Sequence, residues 1–142
     1  MNILNSENLI AQTETILKYC VLGLLIVFAL ATLFAFVINW ETWFFGTKLD
    51  GFPAGIALGA TWLAAALLAA ALIKFPRMDP LLGGLTAVYF GFLFVNSSMT
   101  IQKVSYTHQG FSPVLAAFLI LSIAFFIVAL IKRYQENSKI RP

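Results

Sequence analysis

The sequence is poor in charged residues. Nine Lys or Arg and six Asp or Glu make up 11% of the 142 residues, whereas 61% of the residues are hydrophobic. A soluble domain carries roughly 25% charged residues and 45–50% apolar ones. The shortage of charge therefore excludes an ordinary soluble protein.

Charge is absent altogether from four long stretches of the chain. Each stretch has 22 or 23 consecutive residues without Asp, Glu, Lys, Arg or His. A helix needs about 20 mainly apolar residues to cross a hydrocarbon core of ~30 Å. The four stretches predict transmembrane helices over 19–39, 53–73, 81–99 and 113–131.

The predicted fold is an all-α integral membrane protein built from two tandem helical hairpins. An amphipathic N-terminal segment, 1–18, precedes the first hairpin, 19–75. The second hairpin, 76–133, is followed by a short tail, 134–142. Because the apolar residues of segment 1–18 gather on one side of a helix, this segment either contacts the membrane face or a partner, or extends the first helix.

The basic residues are distributed unequally between the two sides of the membrane. The termini and the middle loop hold seven of the nine Lys and Arg, while the loops around Lys48 and Lys103 hold one each. The positive-inside rule therefore predicts cytoplasmic N- and C-termini, and we expect the inner membrane of a bacterium. Since the basic residues lie at membrane boundaries, their expected partner is the lipid bilayer and not nucleic acid.

Cysteine and histidine are nearly absent, which restricts the chemistry open to the chain. Cys20 is the only cysteine, so no disulfide within the chain and no thiol-clustered metal site is expected. His108 is the only histidine, which excludes a haem held between two histidines of this chain. A single axial ligand to haem or a pigment, completed by Met99 or a partner's residue, is the alternative to a solvated loop histidine. We predict no metal site and no cofactor, with lipid as the expected bound molecule.

The predicted helices also lack the side chains that membrane chemistry needs. Proton relays and ion sites in membranes are built from ionisable groups, and the predicted spans contain none. By sequence, no histidine or lysine base is in reach of Ser97, Ser98, Thr100, Cys20 or Ser122, so no nucleophilic triad is expected. The chain is predicted not to be an enzyme, and proton-coupled transport is disfavoured.

Small residues at four-residue spacing mark the second and third predicted helices. Residues four apart share one helix face, and small side chains there let helices approach closely. The pattern predicts tight helix contacts, with the second helix either central in the bundle or docked on a larger assembly. The predicted packing residues are Gly55, Gly59, Ala60, Ala64, Gly83, Ala87 and Gly91.

A cluster of polar residues lies near the end of the third predicted helix. Polar groups that face lipid are costly, so these side chains are expected to face other helices, water or a partner protein. They form either a small polar vestibule between the two hairpins or ordinary hydrogen bonds between helices. The cluster consists of Asn96, Ser97, Ser98, Thr100 and Gln102.

The two halves of the chain resemble one another. Gly-Phe-Pro at 51–53 and Ala-Leu-Ile-Lys at 71–74 recur as Gly-Phe-Ser-Pro at 110–113 and Ala-Leu-Ile-Lys at 129–132. A repeat at an offset of about 58 residues indicates a duplicated helical hairpin in one orientation.

Each half resembles the lipopolysaccharide assembly protein A-like membrane hairpins. The strings that carry the resemblance are FAFVINWETWFFGTKLDGFPAGIALGATWLAAALL and FVNSSMTIQKVSYTHQGFSPVLAAFLILSIAFF. Asn39 and Asn96 match the family's Asn position, and Pro53 and Pro113 match its Pro position. The resemblance implies an inner-membrane anchor or adaptor that has no chemistry of its own. The family has one hairpin followed by a cytoplasmic helical tail, whereas this chain has two hairpins.

Three functions are compatible with the sequence. The first is a non-catalytic accessory subunit or adaptor that packs against a larger membrane protein complex. The second is a small channel or carrier for a neutral solute, which could be a homo-oligomer. The third is a subunit that binds haem or a pigment.

Overall fold

The computed structural model describes residues 3–38, 40–104 and 111–140. Most of these residues are helical, and four helices are long and apolar enough to cross a membrane, as the charge-free stretches predicted. The helices are α1 (Ile3–Ile38), α2 (Phe52–Lys74), α3 (Asp79–Val104) and α4 (Phe111–Ile140), with a 3₁₀ turn over Pro76–Met78 before α3.

Each helix is longer than the predicted span. The largest difference is in α1, which has 36 residues and continues without a break through the segment 3–18. At ~1.5 Å per residue such a helix is about 54 Å long, well beyond the ~30 Å of a hydrocarbon core. Of the alternatives for the N-terminal segment, its helical structure fits an extension of the first helix.

The described residues are almost entirely helical, in agreement with the all-α prediction, and a short β-hairpin between α1 and α2 is added to it. Strand β1 (Glu41–Phe44) pairs antiparallel with β2 (Thr47–Asp50), in a register that places Glu41 opposite Asp50. The two-residue turn has positive φ at both Phe45 (47°) and Gly46 (77°). Positive φ at both central residues is the geometry of a type I′ turn, whose twist matches that of the paired strands.

The helices form a ring in chain order with one loose side. The α3–α4 and α1–α2 packing is the most extensive, α1 also packs on α4, and α2 touches α3 only slightly. We call the end of the bundle that carries the β-hairpin the hairpin end, and the opposite end, where α1 begins and α4 finishes, the terminal end. The core is aromatic, with the Phe28 ring edge-on to those of Tyr89 and Phe90 at centroid distances of 6.2 and 6.0 Å.

The predicted glycines of α2 contact α1 and the segment just after it, and those of α3 contact α4. A Cβ on Gly83 would lie 3.1 Å from the Phe126 Cα, so here the backbones of α3 and α4 meet closely. On α2, the space beside Gly55 is filled by the Trp40 ring, at 3.0 Å from a built Cβ. Gly59 of α2 faces the Phe36 ring and Gly91 of α3 faces Leu119. Ala64 and Ala87 are half-buried, and Ala60 is exposed.

The second helix lies at the edge of the bundle and not at its centre. Its packing is mainly on α1, and large apolar side chains such as Leu63 and Leu67 are 47% and 61% exposed. Small residues around much of a helix indicated either a central position or docking on a larger assembly. The central position is therefore wrong, and docking stays a prediction.

Two buried ion pairs join the helices at the terminal end. The Lys18 ammonium of α1 contacts both carboxylate oxygens of Asp79 of α3 at 2.8 Å. Lys132 of α4 contacts the Glu14 carboxylate of α1 at 2.5 Å. Glu14 and Asp79 are only 5% and 4% exposed. Each buried carboxylate has a cation beside it, as burial of charge requires.

Candidate functional site

A cavity of about 470 Å³ lies beneath the β-hairpin. Residues of α1, α2 and α3 form its walls, strand β1 covers it, and Phe28 belongs to its lining. Most of the lining is apolar, with a few hydroxyl and amide groups from residues such as Thr61 and Ser97. A mainly apolar cavity with a few polar groups is the usual form of a small-molecule site.

Two residues of the predicted polar cluster hold the β-hairpin on the bundle. The Asn96 side-chain oxygen accepts a hydrogen bond from the Phe45 N–H at 2.6 Å, and its Nδ2 donates to the Trp43 carbonyl at 3.3 Å. The Thr100 hydroxyl accepts from the Gly46 N–H at 3.1 Å and donates to the Asn96 carbonyl at 2.8 Å. Asn96 and Thr100 therefore bind the hairpin turn.

A third α3 residue, outside the predicted cluster, contacts the same turn. The Lys103 ammonium donates to the Phe45 carbonyl at 2.9 Å, one helical turn beyond Thr100. Its aliphatic stem also lies against Gly46, where a Cβ would come within 2.3 Å of Lys103 Cδ. A glycine is thus needed at position 46 for two reasons, the positive φ and the close lysine stem.

Asn96, Thr100 and Lys103 recur every three or four residues, so they lie on one face of α3. We call this set the turn clamp. Phe45 is held by it on both its N–H and its carbonyl, while adopting a φ of 47°. Such a φ costs a bulky residue on the order of 1 kcal/mol, and the clamp offsets this cost.

The other residues of the predicted cluster have different surroundings. Ser97 is half-buried and lines the cavity, and within the described part of the chain its hydroxyl has no hydrogen-bond partner. Ser98 is half-buried with an interaction of its own. Gln102 is exposed on α3. His108 lies outside the described residues, and its proposed companion Met99 is 39% exposed.

The cavity lies along the loose side of the bundle. Ala57 and Thr61 of α2 and Phe92 and Ser97 of α3 all line it. The Tyr89 hydroxyl of α3 crosses to α2 and donates to the Thr61 carbonyl at 2.9 Å. The Thr61 hydroxyl itself donates to Ala57 within α2. The tyrosine bond is thus the hydrogen bond that joins α2 and α3 in the described part of the chain.

The β-hairpin above the cavity carries three charged side chains. Lys48 lies between Asp50 and Glu41, at 3.2 and 3.3 Å from their carboxylate oxygens. Hydrogen bonds to Asp50 and to Glu41 raise the pKa of Lys48 above its ordinary 10.5. Glu41, whose side chain is 52% exposed, also belongs to the cavity lining. The Glu41 and Asp50 carboxylates thus share one lysine as partner.

Chemically, this arrangement is suited to binding. The side chains in the cavity wall are apolar or neutral and polar, apart from Glu41 at the hairpin. Among the described residues, no group of three or more His, Cys, Asp or Glu could hold a metal ion. Hydrogen bonds from hydroxyl and amide groups, together with apolar contact, are the interactions that this cavity can offer a ligand.

Sequence reasoning missed three parts of the structure. It missed the β-hairpin, whose aromatic residues resemble an interfacial belt. It missed the Tyr89–Thr61 hydrogen bond, which has no local signal. It also treated Lys18, Asp79 and Lys132 only as boundary charges, whereas in the structure they form ion pairs between helices, Lys18 with Asp79 and Lys132 with Glu14. Comparisons with protein-family models, curated proteins and solved structures find no match to this chain.

Proposed function

We propose that this protein is a non-catalytic carrier or binding protein that holds a small neutral, mainly apolar molecule beneath the β-hairpin. The cavity of about 470 Å³ supports this proposal most directly. Its size lies in the range of roughly 300–1,000 Å³ that is typical of small-molecule sites. Of the sequence-based candidates, the carrier for a neutral solute is the one that such a cavity serves.

The ligand chemistry follows from the groups that the turn clamp leaves free. Most of the side-chain hydrogen bonds that Asn96 and Thr100 can form are made to the hairpin backbone or within α3. The Ser97 hydroxyl and the second N–H of the Asn96 amide are left to face a ligand. These two groups suit a carbonyl or hydroxyl oxygen at one end of a molecule whose remainder contacts apolar side chains.

The proposed orientation places this cavity in the outer half of the membrane. The excess of Lys and Arg at the terminal end supports cytoplasmic termini, and we propose the bacterial inner membrane as the location. In this orientation the β-hairpin stands at the outer surface. Trp40 and Trp43 are then at the level of the headgroups, where indole rings are favoured.

Purified protein in proteoliposomes tests the proposal. Flux of uncharged solutes of different size is measured for the wild type and for Ala57→Leu and Ser97→Leu, which fill the cavity from α2 and α3. Gln102→Leu is the matched control, because Gln102 belongs to the same polar stretch and is exposed. We expect both cavity variants to abolish flux and the control to retain it. Absence of flux across the panel, or equal flux in all variants, would contradict the proposal.

An accessory subunit or adaptor of a larger membrane complex is the second candidate. The supporting observation is the outward face of α2, where the exposed Ala60 and Ala70 alternate with exposed Ile56, Leu63 and Leu67. Small residues on such a face let a partner helix approach closely. The partner is either a different membrane protein or a second copy of this chain, and the resemblance to the assembly-protein hairpins supports the same role.

Crosslinking in native membranes separates these roles. Cysteine at Ala60, in a Cys20→Ser background, should form a specific crosslink to a partner chain if α2 docks. Cysteine at Leu30, exposed on α1, is the control. A protein that is monomeric and gives no more crosslinking at position 60 than at position 30 is not an adaptor through α2. An absorption spectrum of the same preparation tests haem or pigment binding, which a colourless protein would exclude.

A further inference from the structure

A second cavity, of about 290 Å³, lies at the terminal end of the bundle. The turn before α3 forms one wall and the last turns of α4 form the other, with Glu14 of α1 in the lining. Unlike the cavity beneath the hairpin, it is lined mostly by charged residues. Its charges fall into a buried set and an exposed set.

The buried charges neutralise one another. Asp79 has Lys18 as its partner at 2.8 Å, and Glu14 has Lys132 at 2.5 Å. These pairs link α1 to α3 and α1 to α4, so their role is explained by the bundle itself. Neither carboxylate is left to repel an anion that enters the cavity.

The exposed charges of the lining are mainly cationic. Arg77 in one wall and Arg133 in the other both belong to the lining and are exposed. Within the described part of the chain, neither guanidinium makes a hydrogen bond or an ion pair. Glu136 is the exposed carboxylate of the lining, and it leaves one net positive charge at the cavity mouth. Guanidinium groups bind phosphate oxygens with two parallel hydrogen bonds, which makes arginine the preferred side chain for phosphate recognition.

Each wall carries an exposed apolar side chain one residue after a lining residue. Leu81 follows the lining residue Pro80 and is 52% exposed, and Leu130 follows the lining residue Ala129 and is 43% exposed. A soluble anion would make no use of these surfaces. A phospholipid would use both, because its phosphate and its acyl chains are joined in one molecule.

We propose that this cavity binds the headgroup of an anionic phospholipid, with Arg77 and Arg133 on its phosphate and its acyl chains along Leu81 and Leu130. Basic pockets between membrane helices on the cytoplasmic side are a known form of such sites. The site is separate from the cavity beneath the hairpin, so it does not depend on the transport proposal. The bound lipid would join the start of α3 to the end of α4.

Native mass spectrometry of the detergent-solubilised full chain tests this site. Retention of phosphatidylglycerol and of phosphatidylcholine is compared for the wild type, Arg77→Gln, Arg133→Gln and the control Lys48→Gln. Lys48 supplies an equal change of charge at the opposite end of the bundle. Because neither arginine has an internal partner, the variants should fold, and helical content by circular dichroism verifies this.

The expected result is a preference for phosphatidylglycerol that each arginine variant weakens about tenfold and Lys48→Gln leaves unchanged. Glu136→Gln, which removes the exposed carboxylate, should strengthen binding two- to threefold. Equal retention of the two lipids by the wild type, or an equal loss in the Lys48 control, would overturn the proposal. Competition by inorganic phosphate at the same concentration as the lipid would also overturn it, since the ligand would then be the free anion.

Discussion

Replacing Asn96 with leucine removes two of the hydrogen bonds that hold the turn of the β-hairpin on α3. The Phe45 N–H and the Trp43 carbonyl lose their partner, while leucine preserves the approximate size of the side chain and favours the helix more than asparagine does. At about 1 kcal/mol for each hydrogen bond, the turn loses roughly 2 kcal/mol of stability. Opening of the hairpin should then be about 30-fold more frequent.

Hydrogen–deuterium exchange of the hairpin amides measures this effect. Under conditions where exchange follows the opening equilibrium, the amides of 41–50 should exchange about 30-fold faster in Asn96→Leu, while those in the middle of α3 stay protected. Thr100→Val, which removes one acceptor for the Gly46 N–H, should accelerate exchange about fivefold for a loss of ~1 kcal/mol.

Ser97→Ala is the matched control for this experiment. Ser97 is the next residue of the same helix and lines the cavity, but it is not part of the turn clamp. Exchange of the hairpin in this variant should equal that of the wild type. If Asn96→Leu and Ser97→Ala gave the same exchange rates, the turn clamp would not be what holds the hairpin.

Three other predictions concern different parts of the molecule. Asp79→Asn leaves the Lys18 ammonium buried without a counter-ion and should lower the free energy of unfolding by about 3 kcal/mol, measured as a lower melting temperature in detergent. The double variant Lys18→Met/Asp79→Leu should recover most of this loss. A double variant as unstable as the single one would refute the explanation. Gly83→Leu should destabilise the bundle by roughly 1–3 kcal/mol through overpacking against α4. Gly23→Leu is the control, because a Cβ at position 23 meets nothing within 4 Å, and it should leave the melting temperature unchanged or raise it. Equal melting temperatures of the two variants would contradict close α3–α4 contact. The pKa of Lys48 in the folded hairpin is raised above 10.5, so its ion pairs stabilise the hairpin fully below pH 10.5 and are lost as the pH rises through the raised pKa. In a Trp40→Phe/Trp62→Phe background, Trp43 fluorescence should show this alkaline transition when Lys48 is present and not in the Lys48→Met variant. Identical curves for the two proteins would exclude the effect.

The spans could be predicted from the sequence because the membrane imposes a simple rule on charge. Long charge-free stretches must be helical to satisfy their backbone hydrogen bonds in hydrocarbon, and four such helices are present. The helices are longer than the predicted spans. Lys18 and Lys132, which bound two charge-free stretches, pair with charges on other helices, and α1 and α4 extend beyond them.

The β-hairpin could not be predicted from its turn. Asn-Gly and Asp-Gly are the strong signals for a two-residue turn with positive φ at both positions, whereas this chain has Phe45-Gly46. The phenylalanine is tolerated because Asn96 and Lys103, more than 50 residues away, hold its backbone. For the same reason the role of Asn96 and Thr100 could not be predicted, because the hairpin turn that they bind was itself not predicted. The structure shows that Asn96 bonds the hairpin turn, whereas a role of Ser97 toward a solute stays a prediction.

The slight contact between α2 and α3 bears on how the proposed ligand would reach the cavity beneath the hairpin. Among the described residues, the Tyr89–Thr61 hydrogen bond links these two helices, and one such bond contributes only about 1 kcal/mol. In the proposed function, a molecule dissolved among the lipid tails would enter between α2 and α3, without crossing the aqueous surface or lifting the hairpin. Occupancy of the cavity would then follow the partition coefficient of the molecule between water and bilayer, and not its concentration in solution alone. Among compounds of similar shape, the more lipophilic would occupy the protein at lower total dose, with the bilayer acting as its reservoir.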